Sequence, residues 1–518
     1  MNDAEMLALK QQEIEHLTEK VLQLTQQLDW FKRQLFGRKS EKKLVHNPHQ
    51  GSLFDLPAPA QDSAPSTPIK AHQRRSKKQP HDHDVNDTGL RFDDSVPQEI
   101  IELSIPELEG DKAHEYEIID YKETTRLAQR IGSYVVLIYR RPVVRHQPSN
   151  TLAATPAAPD NVLDGCYADV SLLAGLMVDK AIYHLPLYRQ HQRLRDSGVR
   201  LSRTTLIHWM QKSIALLQPI YQAQRRHILQ SKVLAMDEVP IKAGRKGKGR
   251  MQQTYFWPLY GEADEVAFTW SRSRGYQHAV DQLHGFSGTL LTDGYAAYEK
   301  AISQLNQQDA AIVHATCWAH SRRAFEKALA MEPDTAQQAL AYIGQLYALE
   351  ATCREQDLTA EALLAHRQEY SEPVINAFFT WVYEQRQRMD LLPSNPLCKA
   401  LQYVTQRADQ LKVFLSNPHV PLDTNHLERA LRVIPMGRKN YLFCWSELGA
   451  EQLGMLQSLM VTCRLQNINP YMYLVDVLQR VSLHPASKVE ELTPRMWKTL
   501  FKDNCLTSDL DRKAKSQP

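Results

Sequence analysis

The stretch from residue 232 to 328 constrains this chain more than any other, because its apolar pattern changes character half-way along. Val233 to Ile241 reads as a strand. A loop follows in which Lys242, Arg245, Lys246, Lys248 and Arg250 interleave with three glycines, and Thr254 to Tyr260 and Glu265 to Trp270 read as two more strands. Short connections make these three an antiparallel meander. A helix near Tyr276 to Leu283 then leads to a strand over 288 to 292, a helix from Tyr295 and a strand over Ala311 to Thr316. Alternation of that kind implies parallel neighbours. The expectation is an α/β core of three antiparallel strands followed by β-α-β units.

Two of these apolar runs end in aspartate. Asp237 closes Val233-Leu234-Ala235-Met236, Asp293 closes Gly288-Thr289-Leu290-Leu291-Thr292, and Glu428 lies on a helix beginning near Asp423-Thr424-Asn425. A strand, a strand and a helix can converge on one site. Three hard oxygen ligands suit Mg²⁺, which prefers a few carboxylates plus waters and substrate phosphate oxygens. The implied chemistry is phosphoryl transfer. On a continuous strand Asp237 shares a face with Val233, Ala235 and Val239, so Glu238 must point the other way and only one of the pair enters the site. Plainer readings stand beside these. Asp293-Gly294 after a strand is also a turn, and Glu428 with Arg432, four residues on, is also a surface ion pair beside the apolar stripe Leu427, Ala430, Leu431 and Ile434. Pro435 and Gly437 are expected to end that helix, leaving Arg438, Lys439 and Asn440 to hold a phosphate backbone.

The chain has 518 residues, too many for one core, and at one domain per ~150 residues three or four units are expected. A formal charge of +3 means that a nucleic-acid partner must be met by local basic patches. Seven scattered cysteines without a Cys-x-x-Cys pair argue against a disulfide framework or a four-cysteine zinc site. No stretch reaches the ~18 apolar residues of a membrane span and no signal peptide is visible, so a cytoplasmic location and no membrane partner are expected.

Ile14, Val21, Leu28 and Leu35 fall seven apart, with Leu17, Leu24 and Phe31 three residues after the first three of them. That seam predicts a coiled coil over 1–43 and a homodimer through 7–35. Residues 44–95 read as a flexible linker. Residues 96–160 suggest a small β-rich module whose last strand runs into Arg140-Arg141-Pro142-Val143-Val144-Arg145-His146, facing either DNA or solvent. In the helical region 161–228, Leu185 to Leu194, a turn at Ser197-Gly198-Val199 and a helix capped by Ser202 have the grammar of a helix-turn-helix. Its second helix would offer Arg203, Thr204 and Thr205 to a groove. The core then occupies 229–330 and 416–450 around a helical insertion over 331–415, with a C-terminal helical segment and tail over 451–518.

Several motifs, in order along the chain, give these parts a common context: Gln34-Leu35-Phe36-Gly37-Arg38-Lys39-Ser40-Glu41-Lys42, the Leu185 to Trp209 helix pair, Thr292-Asp293-Gly294-Tyr295, Cys317-Trp318-Ala319-His320-Ser321-Arg322-Arg323-Ala324-Phe325, and Asn425-His426-Leu427-Glu428-Arg429-Ala430-Leu431-Arg432 through Gly437-Arg438-Lys439-Asn440. The chain resembles the transposases of the insertion-sequence-66 family. Asn469 to Leu474 and Leu492 to Trp497 are similar to that family's closing segment, and the strand order resembles the ribonuclease H fold. The resemblance implies a multidomain α/β protein with a ribonuclease H-like core, an all-α insertion, and Asp237, Asp293 and Glu428 as a DDE triad. His320 would support the site by hydrogen bonding, although Cys317 and His320 alone are too few for a zinc site. Many relatives resemble a zinc module with paired cysteines before the helix pair; 96–160 has none, and no zinc is expected there.

What the resemblance implies chemically is two Mg²⁺ ions, with Mn²⁺ able to substitute, about 3.5–4 Å apart on the three carboxylates. Hydrolysis would expose a 3′-OH at a transposon end, and the same site would align it with target DNA. Arg432, Arg438 and Lys439 would counter phosphate charge, and the 242 to 250 loop would track double-stranded DNA without reading sequence. Accessory proteins of the same element are a further implied partner. A metal-dependent nuclease without strand transfer, or a dimeric helix-turn-helix regulator with a degenerate core, are the alternatives.

Overall fold

A computed structural model of the chain describes residues 91–92, 96–104, 108–109, 113–130, 132–148, 151–152, 158–247 and 249–516. The expected coiled coil over 7–35 lies outside the described residues, as does nearly all of the expected linker. Among the described residues no helix is long and apolar enough to cross a membrane.

The first strands are β1 (Arg91–Phe92), β2 (Gln98–Glu102), β3 (Tyr116–Arg130), β4 (Ser133–His146) and β5 (Thr151–Leu152). β3 and β4 form a long hairpin through Gly132, whose φ of +80° suits a residue without Cβ, and β2 adds parallel to β4. β4 is apolar on both faces because both are covered. Val135, Leu137 and Tyr139 pack with Ala128 and Leu510, and Tyr134 and Val136 join the helical core. The alternating cations of this strand are matched across the hairpin: Arg140 faces Glu123 at 3.0 Å and Arg145 faces Glu117 at 2.7 Å, each pair in register. Two residues at the end of the expected linker are in fact strand, since β1 pairs with β6 (Val199–Arg200).

Four helices follow the hairpin module: α1 (Val170–Ala181), α2 (Leu187–Asp196), α3 (Arg203–Leu216) and α4 (Gln218–Ile228). Asp169 caps α1 by accepting from Ser171 N, and α1 is buried over most of its surface, which explains its continuous apolar sequence. The chain turns between α2 and α3 at Gly198, with φ +82°, and Ser202 caps α3 by accepting from Thr205 N at 3.1 Å.

Strands β7 (Val233–Met236), β8 (Val239–Gly247), β9 (Arg250–Gly261), β10 (Glu265–Ser271), β11 (Thr289–Thr292) and β12 (Val313–Thr316) form one sheet in the order β10-β9-β7-β11-β12, with β8 paired to β9. The first joins are antiparallel and the last two parallel. The expected single strand Val233 to Ile241 is two pieces: both lie along β9 in one register, Met236 opposite Leu259 and Val239 opposite Phe256, but the ladder skips Asp237 and Glu238. Those two stand opposite Trp257 and Pro258, and proline has no N–H to give. The expected basic loop over 242–250 is the ribbon of β8 and β9, turning at Gly249 with φ +72°.

Helices α5 (Tyr276–Leu283) and α6 (Ala296–Asn306) cover one face with Leu234, Met236 and Leu290 beneath them. From the last strand α7 (Trp318–Ala328) leads into the insertion, α8 (Pro333–Glu355), α9 (Ala360–His366), α10 (Glu372–Arg386), α11 (Pro396–Thr405) and α12 (Ala408–Lys412), with its own core around Phe378, Trp381 and Leu401. The chain returns as α13 (Asn425–Leu431), α14 (Val433–Tyr441) and α15 (Glu447–Leu465), then α16 (Pro470–Arg480), α17 (Pro494–Leu500) and α18 (Asp509–Ser516). Leu427, Ala430, Leu431 and Ile434 are buried against Ala235, Val239 and Phe256, as their spacing predicts. Helix α15 closes the sheet's open edge: Phe268 N donates to Ser458 Oγ and Val266 N to Thr462 Oγ1. Gly454 permits the approach, since a Cβ there would stand 2.7 Å from Phe268 O.

Candidate active site

The break between β7 and β8 creates the site. Freed from the pleat, Asp237 and Glu238 turn the same way, and one carboxylate oxygen from each lies within 4.8 Å of the other and of one from Asp293. Glu238, expected on the opposite face, is therefore inside, because the alternation that excluded it needs an unbroken strand. It is held there: Tyr298 Oη donates to its Oε2 at 2.5 Å and Arg274 Nε to its Oε1 at 2.5 Å. Burial, with Glu238 and then Asp293 and Glu428 adding negative charge, pushes the Asp237 carboxyl up to about 7.

Asp293 stands at the end of β11, parallel to β7, so both aspartates lie at carboxyl ends of adjacent parallel strands. Its turn is held from both sides. Asp293 Oδ1 accepts from Tyr295 N at 2.8 Å, Tyr403 Oη donates to the Asp293 carbonyl, and Arg407 Nη2 donates to the Gly294 carbonyl at 2.7 Å. Gly294 has φ +83°, and a Cβ there would strike the Arg407 side chain. Tyr403 and Arg407 come from the insertion, and nothing in their spacing announced a role beside Asp293.

Glu428 approaches from α13 but does not join the group of three oxygens. Its partner is Arg323, whose Nη2 donates at 2.7 Å to Oε1, and not the expected Arg432, which is exposed. His320 Nε2 lies 3.9 Å from Glu428 and 3.2 Å from Arg323, and burial holds the imidazole below its ordinary pKa. Its Nδ1 is buried without a hydrogen-bond partner. Cys317 serves the neighbouring backbone: its Sγ accepts from Thr424 N and Oγ1 at 3.3 and 3.4 Å, tying the start of the Glu428 helix to α7. Hard carboxylate oxygens crowded at one point, with the Asp237 carboxyl pushed up to about 7 by burial first and by its acidic neighbours second, are a donor set that fits a divalent cation.

Comparison with known proteins matches residues 165–452, more than half of the chain, to the family described as "Transposase IS66 family". The chain belongs to the IS66 transposase family. Residues 458–495 match the IS66 C-terminal element, and residues 23–88 match a segment described as "Transposase C of IS166 homeodomain". Among curated relatives, "Uncharacterized protein y4hP" of Sinorhizobium fredii (strain NBRC 101917 / NGR234) is 30% identical over 366 residues, 67% of this chain and just under two thirds, 65%, of its own length. "Uncharacterized protein y4jD" of the same strain is 27% identical over 94% of this chain and 97% of its own.

In this IS66 chain the residues expected at DNA are dispersed. Lys242, Arg245, Lys246 and Arg250 are exposed along the β8–β9 ribbon, and Lys248 lies outside the described residues. Arg203 and Thr204 are exposed at the start of α3, while Thr205 is half-buried with its hydroxyl 2.8 Å from Ser202 Oγ. Pro435 and Gly437 do not end the Glu428 helix region, because α14 runs from Val433 to Tyr441 through both. Lys439 on it is exposed, but Arg438 Nη1 donates to the Pro240 carbonyl at 2.6 Å and so fastens α14 to the strand beyond Glu238.

Proposed function

We propose that this IS66 protein is a DDE transposase, and that Asp237, Asp293 and Glu428 hold Mg²⁺ for cleavage and strand transfer at transposon ends. The observation that carries this reading is the convergence of Asp237 and Asp293 oxygens within 4.8 Å at the ends of adjacent parallel strands, with Glu428 close enough for its charge to act on Asp237. The sheet order β10-β9-β7-β11-β12, three antiparallel strands leading to two parallel ones, supports a ribonuclease H-like core. The pair α2–α3, the second helix capped by Ser202, supports a helix-turn-helix, and the heptads support a dimer through 7–35.

Bound at these carboxylates, Mg²⁺ would supply Lewis acidity toward water and the scissile phosphate. The chain's own contribution is to hold the oxygens in place. Arg274 and Tyr298 fix Glu238 as a fourth carboxylate, Tyr403 and Arg407 fix the Asp293 turn, and Arg323 neutralises Glu428 until substrate and cation compete for it. Glu238 is thus preassembled beside Asp237 and Asp293, whereas Glu428 would join them from its ion pair with Arg323.

The test is cleavage of DNA carrying the element's ends by purified protein with Mg²⁺. Asp237→Asn should abolish cleavage while binding persists, and an equally active variant would sink the assignment. Joined products mark a transposase, cleavage alone a nuclease, and binding alone a regulator.

A further inference from the structure

Between the helix pair and the core runs a cleft of about 690 Å³, walled by Leu206, Met210 and Ile214 of α3 on one side and by Leu442, Phe443 and Trp445 on the other. The second wall is a short segment between α14 and α15 that the chain takes care to position. Leu442 adopts φ +64°, unusual for a residue with a branched side chain, and Cys444 pairs with the ribbon, its N donating to the Lys242 carbonyl at 2.8 Å and its carbonyl accepting from Gly244 N at 3.2 Å. The result is a tryptophan held open to solvent: Trp445 is 66% exposed. Phe443 meets it edge to face at 5.2 Å, and the Arg245 guanidinium lies 5.0 Å from its ring centre.

Polar and cationic side chains, among them Lys180, His191, Gln211 and Tyr441, are set between the apolar walls. Tyr441 Oη is buried without a hydrogen-bond partner, and the Lys180 ammonium lies 5.4 Å from the Tyr441 ring centre. Burial pushes the Lys180 ammonium down from its ordinary pKa, as expected of a cation facing apolar walls. Arg189 and Arg203 also line the cleft, and Arg245, Lys246 and Lys439 are exposed on the neighbouring ribbon and helix. Apolar and aromatic walls, an unsatisfied hydroxyl within and cations around the opening suit a flat aromatic ligand with acceptor atoms on its edge and a phosphate tether.

The cleft is joined to the carboxylates by a short piece of chain. Arg272 Nη2 donates to Glu447, two residues beyond Trp445, at 2.6 Å, and Arg274 grips Glu238. Arg272 and Arg274, two residues apart, thus bond the segment beyond Trp445 and the carboxylate site respectively.

We infer that this cleft receives one unstacked nucleobase of the bound DNA, with Trp445 as its stacking surface. The inference rests on the reading of this chain as a DNA-cutting enzyme and adds to it a point at which the duplex is opened. Extruding a base costs least where it is already unpaired.

The test uses the full-length protein without divalent metal and two fluorescent duplexes of one sequence, one fully paired and one in which a single base lies opposite an abasic site. Wild type should bind the duplex with the unpaired base about five- to tenfold more tightly, in the range of one base stacked on an aromatic ring. Trp445→Ala should reduce that preference to less than about twofold and Trp445→Phe should keep most of it. Equal affinity of wild type for both duplexes, or an undiminished preference in Trp445→Ala, overturns the inference. So does a change of self-association in Trp445→Ala, by sedimentation, with DNA preference intact, because the cleft would then belong to a second protein chain. Asp237→Asn separates the two ideas: cleavage persisting in it removes the triad and leaves the base preference standing, whereas silent Asp237→Asn with no base preference in wild type removes only the cleft.

Discussion

Asp237 shows what crowding costs a folded protein. Its carboxyl titrates at about 7 in the fold against 3.8 for an ordinary aspartate, burial being the main cause and Glu238 the next. Between those values the folded state holds a proton that the unfolded chain has lost. Stability therefore falls as pH rises from about 4 to about 7 and levels off above it. Asp237→Asn should reduce that slope by the share Asp237 carries, the buried Glu238, Glu265 and Asp169 being shifted the same way, and stabilise the metal-free protein at pH 8 by about 1–3 kcal/mol, read by urea unfolding across pH. An unchanged slope would show that the carboxyl is not buried among like charges. Glu238 was legible as a carboxylate but not as a member of the site, because its direction depended on a strand that is broken. Arg323 lies in the Cys317 to Phe325 motif, and only the return of α13 from more than a hundred residues away makes it the partner of Glu428.

At the scale of elements, periodicity identified strands and helices well where one face is buried and misjudged their ends. Leu427, Ala430, Leu431 and Ile434 gave the buried stripe correctly, whereas Pro435 was read as a stop although, at the third position of α14, it has no intrahelical bond to lose. Cations interleaved with glycine at 242–250 looked like a loop because a two-stranded ribbon exposed on its edge buries little and leaves a weak alternation. Arg438 illustrates the consequence. Its guanidinium bonds the Pro240 carbonyl, so Arg438→Ala should cost about 1.5–3 kcal/mol of stability, the range for a hydrogen bond to a charged group. Thermal unfolding of the metal-free variant measures this. Unchanged stability with weakened DNA binding would return Arg438 to the phosphate-contacting role that its sequence position suggests.

For the whole molecule, the insertion is part of the site's frame. Tyr403 and Arg407 hold the backbone at Asp293 and Gly294, more than a hundred residues away in sequence. Arg407→Ala should lower Mg²⁺-dependent cleavage by about tenfold or more, since small displacements of a reacting group are costly, while leaving the melting temperature within a few degrees. Equal loss of cleavage and of folded protein would make Arg407 a general stabiliser instead. Helix α15 likewise completes the sheet by giving hydroxyls to the edge of β10, a role that its composition does not reveal. The sequence by itself determined that an α/β sheet forms, which residues fill its core and that acids end its strands, because burial periodicity and turn chemistry are local. Only the tertiary structure decided which acids meet, which arginines hold them and where a tryptophan is left open, because these follow from contacts between segments that the chain places far apart.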